Sequence, residues 1–206
     1  MDIKDVIKQR RSTKAYDPER FVDEETLREL FELVLESPSS FNLQHWRFVV
    51  VRDEERRQQL KAAAWGQPHV GAAPVDIIVC GKLGAHEDAR RGNSHAPDDV
   101  LAKLVPMIEG IYADNPQLQR DEAIRTGALA SMTLMLAAES MGLRTCPMIG
   151  FDPVKVADIV GLDDGHVPVM LITLGYPAEG GVFPTSRFAM DEVVKLETLD
   201  GPGLTA

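Results

Sequence analysis

The chain has little of what marks several common classes of protein. No apolar run approaches the length of a membrane span, so no transmembrane segment is predicted. The N-terminus is charged from Asp2 onward, which predicts no secretory signal peptide. The only two cysteines, Cys80 and Cys146, lie far apart in apolar sequence, which favours buried free thiols in a reducing cytoplasm over a disulfide.

Positive charge is also scarce. The formal net charge is −10, which argues against a broad nucleic-acid or anionic-membrane surface. The sequence contains no GxGxxG, Walker A, HExxH, CxxC or GxSxG motif. A Rossmann phosphate loop and a zinc site made of cysteines are therefore not predicted. His86, Glu87, Asp88 and His95 match no common ligand spacing, so no metal site is predicted.

Hydrophobic periodicity predicts a regular mixed fold. One-sided or capped patterns predict helices over 2–10, 23–37, 53–64, 101–112, 118–141 and 152–160, and apolar runs predict strands over 48–51, 75–80, 143–151 and 167–174. Residues 84–97 are polar and irregular, which predicts a mobile loop. The alternation predicts a single α+β or α/β domain over 1–206, in which 189–206 form an arm or tail.

The helix predicted over 118–141 is unusually apolar. Nine of the twelve residues from Gly127 to Ala138 are Ala, Leu or Met, so this helix is expected to be buried on all sides. A central helix within one monomer would explain the pattern. In a chain this short, a second subunit that covers part of the helix is the favoured explanation.

A local basic segment stands out against the acidic composition. Arg10, Ser12 and Lys14 alternate, so their side chains share one face of an extended segment, and Arg11 is adjacent. Two guanidinium groups, an ammonium group and a hydroxyl match the oxygens of a phosphate monoester. Arg187 is a further candidate for such a site. The alternative is a solvated basic patch that binds helix-end carbonyls or neighbouring acids.

Two further stretches combine polar groups with turn residues. Ser37–Phe48 contains three serines and one asparagine together with Gln44 and Trp46, which suggests a wall for a flat polar ligand. An ordinary helix-to-strand loop is the alternative. Pro147–Phe151 suggests main-chain amides turned outward toward a ring nitrogen or oxygen, although a plain turn at a strand end has the same pattern.

Together these segments resemble the nitroreductase family of flavin enzymes, from residue 1 to about residue 190. The resemblance rests on motifs in the family's order: Arg10-Arg11-Ser12-x-Lys14-x-Tyr16, Ser37-Pro38-Ser39-Ser40-x-Asn42-x-Gln44-x-Trp46, Ala73-Pro74, Gly142-Leu143 before Pro147-x-x-Gly150-Phe151, Gly175-Tyr176-Pro177 and Arg187. It implies an α+β fold, an α/β/α sandwich with a central, mostly antiparallel sheet flanked by helices. It also implies an intertwined homodimer with FMN at the subunit interface.

The resemblance also assigns site residues. Arg10, Arg11, Ser12 and Lys14 would hold the FMN phosphate and the pyrimidine edge, and Arg187 would complete the phosphate site. The partner subunit would supply Ser39, Ser40 and Asn42 against the ring and ribityl chain. One flavin face would be lined by Pro147, Met148, Ile149 and Gly150. Gln67, by a looser match, and Gly175 complete the expected cofactor-binding set.

The implied function is an FMN-dependent NAD(P)H oxidoreductase with a ping-pong cycle and electron-poor acceptors such as nitroaromatics or quinones. No catalytic side chain is expected, because the cofactor carries the chemistry. A specialised reaction (reductive dehalogenation, flavin fragmentation or enal reduction) and a non-catalytic flavin-binding protein are the alternatives. The chain departs from the family at His45, at Ile149 and at Lys14, and residues 84–113 match it least, so the substrate stays open.

Overall fold

The computed structural model describes residues 2–182 and 184–205. The helices are α1 (Ile3–Gln9), α2 (Glu24–Val34), α3 (Glu54–Ala63), α4 (Ala89–Gly92), α5 (Asp98–Tyr112), α6 (Pro116–Ser140), α7 (Pro153–Val160) and α8 (Met190–Val193). The strands are β1 (Trp46–Val51), β2 (Val75–Lys82), β3 (Arg144–Met148) and β4 (His166–Gly175), and short 3-10 turns cover Ser40–Asn42 and Ala85–Asp88. Each predicted helix and strand is present, with bounds that shift by a few residues.

Several helices begin where the sequence supplies a capping side chain. The Asp23 carboxylate accepts a hydrogen bond from the Thr26 amide at 2.7 Å, and Asp152 accepts from Val154 and Lys155. Such caps satisfy amides that have no partner within the helix and contribute about 1 kcal/mol each.

The four strands form one sheet in the order β1-β2-β4-β3, and every neighbouring pair is antiparallel. The register places Val49 opposite Ile78 and Ile78 opposite Leu171. The two outer strands, β1 and β3, are therefore separated by the two central ones. This arrangement confirms the predicted antiparallel sheet.

Helices cover both faces of the sheet because side chains alternate along each strand. Ile77 and Ile172 pack in a core with α2 and α6, whereas Ile78 and Leu171 pack in a second core with α3 and α7. A third cluster joins Tyr112 and Ile108 to Leu43, Ala85 and Ala89. The predicted α/β/α sandwich is thus confirmed.

The prediction of a mobile loop over 84–97 is wrong. This segment contains the Ala85–Asp88 turn and α4, and Ala85, Ala89 and Asn93 are buried. The two alanines lie one helical turn apart and face α5, which gives the polar segment a small apolar side that packs.

Helix α6 crosses the sheet, but part of its surface stays uncovered in the single chain. Ala130, Leu134 and Ala138 are buried, whereas Ile124, Leu129 and Met132 are 37%, 45% and 41% exposed. The expectation of burial on all sides therefore does not hold within one chain.

The C-terminal residues 184–200 are all exposed and carry the short helix α8. None of the described helices is both long and apolar enough to cross a bilayer.

Candidate functional site

The basic segment follows α1 directly and runs along the outer edge of the sheet. Beyond the end of α1, Ser12 lies opposite Thr145 of β3, and the Thr13 amide donates to the Thr145 carbonyl at 3.0 Å. The Lys14 amide donates to the Gly181 carbonyl at 2.9 Å. The segment is therefore extended and held on both sides, as the alternating pattern predicts.

The alternate side chains converge on one thiol, Cys146 of β3. Burial raises the pKa of this thiol, and Lys14, the Ser12 hydroxyl and Arg10 act against that rise. Arg10, Ser12 and Lys14 thus share one face. The Nη1 nitrogen of Arg10 is buried and has no hydrogen-bond partner among the described residues. A buried guanidinium nitrogen without an acceptor is costly, which points to an anionic ligand at this place.

Part of the basic charge is balanced within the chain. Arg11 Nη1 donates to the carbonyls of Lys8 and Arg10 at 2.7 and 2.8 Å, which is the bonding expected of a basic patch at a helix end. Glu139 is buried, and Arg144 Nη1 lies 3.2 Å from its Oε1. Burial raises the pKa of Glu139 against the opposing effects of Arg144, Arg10 and Arg11. One carboxylate thus faces three guanidinium groups, and the cluster keeps a positive balance.

The end of β3 forms a second wall beside this cluster. Pro147 and Met148 are half-buried, and the Ile149 side chain is 76% exposed. Within residues 2–182 and 184–205, the amides of Ile149 and Gly150 donate no hydrogen bond. Gln67 Nε2 donates to the Gly150 carbonyl at 3.0 Å, which fixes this turn. The outward amides that the sequence pattern suggests are therefore present.

Residues 65–69 contribute two side chains, Trp65 and His69, that are not among the predicted site residues. A Cβ on Gly150 would lie 3.3 Å from Trp65 and 3.3 Å from Gln67, so the turn packs closely against this segment. His69 is buried, and its Nε2 has no partner among the described residues. Burial and the nearby Lys14 lower the pKa of His69, which keeps its ring neutral. The Gly-Gln-Pro break in the sequence marks the segment but not this contact.

Ser39, Ser40 and Asn42 lie in the connection that leads to β1. Ser39 Oγ accepts from the Gln44 amide at 3.0 Å, and the Ser40 and Tyr112 hydroxyls are 2.9 Å apart. Asn42 Nδ2 donates to a carbonyl of α4 at 2.6 Å. Hydrogen bonds therefore join this loop to α4 and α5, and no local sequence pattern predicts the contact with Tyr112.

The two predicted halves of the ligand site lie on opposite edges of the sheet. The basic segment flanks β3 and the serine-rich loop enters β1, so three inter-strand steps separate them. At about 4.8 Å per step, this is roughly 14 Å. One chain therefore does not bring its own Ser39–Asn42 loop to its own Arg10 segment, in agreement with the prediction that a partner supplies it.

Two other predicted residues, Gly175, which lies opposite Arg144 of β3, and Arg187, make contacts within the chain that do not require a ligand. Gly175 ends β4, and a Cβ there would lie 2.6 Å from Pro74 and 2.9 Å from Tyr16, so close packing requires glycine. Arg187 lies in the exposed C-terminal segment, where its guanidinium donates to Thr185 Oγ1 at 3.1 Å and to the Ser186 carbonyl at 2.7 Å. Their assignments to a cofactor stay predictions.

His45, which has no explanation at the level of sequence, is a core residue. It is 1% exposed, and its ring lies 6.4 Å from the Tyr112 ring, which stacks on His86 at 6.0 Å. Burial, Arg47 and His86 together lower the pKa of His45 to about 4. The ring is therefore neutral at physiological pH, and it anchors the end of the serine-rich loop in the core.

The described residues contain no group of three or more His, Cys, Asp or Glu side chains that could hold a metal ion. What they do bring together is a positive cluster, outward amides and an amide side chain at one sheet edge. Such a set can bind an anion and present donors to a flat polar ring.

Comparisons with known proteins agree with this geometry. Residues 7–176 match the nitroreductase family. The chain is 40% identical over 180 residues to Protein DrgA of Synechocystis sp., with 87% of this chain and 86% of that protein covered. It is 35% identical to the NADH dehydrogenase of Thermus thermophilus, with 94% and 95% covered.

Among solved structures, a protein of Exiguobacterium sibiricum in complex with FMN is similar, with a TM-score of 0.87. The two sequences are 28% identical, and 96% of this chain and 98% of that chain are covered. The family match spans both the basic segment and the β3 turn, which are the parts of the site described above. The chain therefore belongs to the nitroreductase family.

Proposed function

We propose that the protein is an FMN-dependent NAD(P)H oxidoreductase that works by a ping-pong cycle on electron-poor acceptors such as nitroaromatics and quinones. Family membership supports the enzyme class, and the FMN complex and the NADH dehydrogenase among its relatives support the cofactor and the donor. The single observation that carries the proposal is the buried, unpartnered Arg10 nitrogen within the basic cluster on β3.

The residues present fit FMN. Arg10, Arg11, Ser12 and Lys14 offer donors and positive charge for its phosphate, and we propose that Arg187 joins them. The unbonded amides of Ile149 and Gly150 offer donors to the ring, and Gln67, already bonded to the Gly150 carbonyl, stands beside them. Neutral His69 adds a ring nitrogen next to Lys14.

The proposed site is shared between two copies of the chain. Ser39, Ser40 and Asn42 lie at the far edge of the sheet from the basic segment, so each flavin would take these contacts from the partner. The exposed apolar side chains of α6 supply a surface for the second copy. We propose a homodimer of single-domain chains, with residues 189–206 as an arm. The two buried free cysteines suit a reducing cytoplasm.

When bound, FMN supplies the two-electron redox chemistry. The chain's own residues bind and orient: the basic cluster neutralises phosphate, and the β3 amides direct donors at the ring where negative charge develops on reduction. No side chain at this wall needs to act as an acid or base. NAD(P)H and the acceptor would use the same open face in turn, since β3 and residues 65–69 would line the other face.

The test is the absorption spectrum of the purified protein during anaerobic titration with NADH and with NADPH. A yellow protein that either nucleotide bleaches, and that an added quinone or nitroaromatic re-oxidises, supports the proposal. A colourless protein that takes up no added FMN would refute the cofactor. Flavin that neither nucleotide bleaches would instead favour a specialised reaction or a non-catalytic flavin protein.

A further inference from the structure

One cavity borders the serine-rich loop at the β1 edge of the sheet. Its volume is about 310 Å³, and it opens between the loop before β1 and helix α4. Its lining comprises Leu43, Gln44, Arg47, Asp88, Arg91 and Gly92. None of these residues belongs to the proposed flavin-binding set.

The walls of this cavity are held by a short-range network. Asn42 Nδ2 donates to the Gly92 carbonyl at 2.6 Å, and Asn93 Nδ2 donates to the Phe41 and Ala89 carbonyls at 2.9 Å each. A Cβ on Gly92 would lie 2.5 Å from the Asn42 carbonyl oxygen, so the loop and α4 touch backbone to backbone. The cavity is therefore a built feature and not a gap between mobile side chains.

The loop also carries backbone strain. Phe41, Asn42 and Gln44 have φ values of 50°, 53° and 48°, in the left-handed region that non-glycine residues seldom adopt. Such strain persists only where the surroundings enforce it, and it concentrates at functional sites. Here the hydrogen bonds to α4 enforce it.

The charges that line the cavity are unevenly paired. Asp88 is engaged by Lys82 at 2.5 Å, and Arg47 Nη2 is farther from the same oxygen, at 4.0 Å. The Nη1 of Arg47 donates to the Gln44 and Trp46 carbonyls at 2.8 and 2.7 Å, which fixes the direction of its guanidinium group. Lys82 thus neutralises Asp88, which is the one acid that lines the cavity. The positive charge of Arg47 therefore lacks a full counter-charge there.

Arg91 adds a second surplus charge. Among the described residues, its side chain makes no hydrogen bond and no ion pair, although its charge, after that of Lys82 and together with that of Arg47, helps to lower the pKa of Asp88. The sequence has 32 acidic and 22 basic residues, so acid partners are not in short supply. Its neighbour Arg90 has one, Asp98, at 3.4 Å. Two guanidinium groups that face one cavity without a full counter-charge form a site for an anion.

We propose that this cavity binds an oxyanion group, a phosphate or a carboxylate, of the small molecule that exchanges electrons with the flavin. The inference rests on the proposed function, because Asn42, which donates to the carbonyl of the cavity residue Gly92, is one of the residues predicted to face the flavin of the partner. Two sources share this chemistry: the phosphates of the nicotinamide nucleotide and an acidic substituent on the acceptor.

A direct binding test uses inorganic pyrophosphate and calorimetric titration at constant ionic strength. The FMN-loaded wild type and its Arg91→Ala, Arg91→Gln and Arg90→Ala variants are compared, since Arg90 lies next to Arg91 but outside the cavity. Both Arg91 variants should weaken binding at least tenfold, and Arg90→Ala should leave it unchanged. Absence of pyrophosphate binding by the wild type, or equal binding by all four proteins, would overturn the proposal.

Steady-state kinetics separate the two sources. If the cavity holds a nucleotide phosphate, Arg91→Ala raises the KM for NADH or NADPH at least tenfold. If it holds an acidic acceptor, the variant raises the KM for 4-nitrobenzoate and not that for the neutral 4-nitrobenzamide. Unchanged KM values for every substrate would contradict the proposal. A protein without NAD(P)H oxidation would refute the proposed function, and the pyrophosphate titration would still decide whether the cavity binds anions.

Discussion

The hydroxyl of Tyr112, at the end of α5, lies 2.9 Å from the hydroxyl of Ser40, 72 residues earlier in the chain. The Tyr112 ring is buried, stacks on His86 and meets Phe41 edge-on with a centroid distance of 6.4 Å. This contact joins helix α5 to a loop that is proposed to serve the partner's flavin. The position of α5 therefore sets the position of that loop.

The first prediction concerns Tyr112→Phe, which keeps the ring and removes the hydroxyl. The free energy of unfolding should fall by about 1 kcal/mol, the usual net value of one hydrogen bond. The dissociation constant of FMN, measured by fluorescence quenching, should rise several-fold because the loop that carries Ser40 loses its hydrogen bond to α5. Tyr176→Phe is the control, since that ring contacts Arg20 through its face. Equal effects of both variants on FMN would argue against a special role for Tyr112.

The second prediction concerns Arg10→Ala. Charge-assisted hydrogen bonds contribute about 1.5–3 kcal/mol each, so FMN affinity should fall roughly 10- to 100-fold. The flavin content of the purified protein and the dissociation constant of added FMN report this change. Lys8→Ala removes a nearby exposed charge and should leave both values close to those of the wild type. Unchanged flavin content in Arg10→Ala would contradict the assignment of the phosphate site.

The third prediction concerns the shared site. Leu129→Glu puts a charge on the exposed apolar surface of α6 and should shift the protein from dimer to monomer in sedimentation velocity. The flavin content should fall as the dimer dissociates, because each monomer would lose the contacts that Ser39–Asn42 of the partner would make with its flavin. Val154→Glu changes an apolar side chain on α7 that is 68% exposed and should leave both measurements unchanged. A Leu129→Glu protein that stays dimeric would place the interface elsewhere.

Much of the fold could be predicted from the sequence because its signals are local. Val75–Cys80 is apolar and mostly β-branched apart from Asp76, and such a run has few alternatives to a central strand. Asp23 and Asp152 sit directly before apolar helical repeats, and both cap helices. The alternation of Arg10, Ser12 and Lys14 likewise needs only an extended backbone to bring three donors to one face.

The rest depends on contacts between distant segments. Helix α4 has a polar sequence, and its order depends on the burial of Ala85 and Ala89 against α5 and on the hydrogen bonds of Asn93. The Tyr112–Ser40 pair and the unpartnered His69 nitrogen arise from the same kind of long-range packing. The separation of the two half-sites follows from strand order, which no local pattern encodes.

Asp76 of β2 provides the last prediction, which concerns pH. Its side chain is fully buried: Oδ2 accepts from the Gly71 amide at 3.2 Å, and Oδ1 has no partner among the described residues. Burial raises the pKa of Asp76 to about 7, against the opposing effects of the Gly71 amide and Arg57. An aspartate in an unfolded chain has a pKa of about 3.9.

Between about pH 4 and pH 7 the folded protein therefore holds a proton that the unfolded chain has lost. Stability from this group is fully present near pH 4, falls as the pH rises through that window, and levels off above it. Each pKa unit corresponds to about 1.4 kcal/mol, so the total change should reach a few kcal/mol. Asp76→Asn should remove this slope, so that the variant gains stability relative to the wild type from pH 5 to pH 8.

Urea unfolding at pH 5, 6, 7 and 8 measures the effect as a difference between the two proteins. This difference cancels the contributions of His45 and His69, which titrate in both. Asp158→Asn, an exposed carboxyl on α7, is the control and should leave the pH profile unchanged. Parallel profiles for the wild type and Asp76→Asn would show that Asp76 is ionised in the folded protein at pH 5, and that a donor-rich or hydrated environment, and not burial alone, sets its charge.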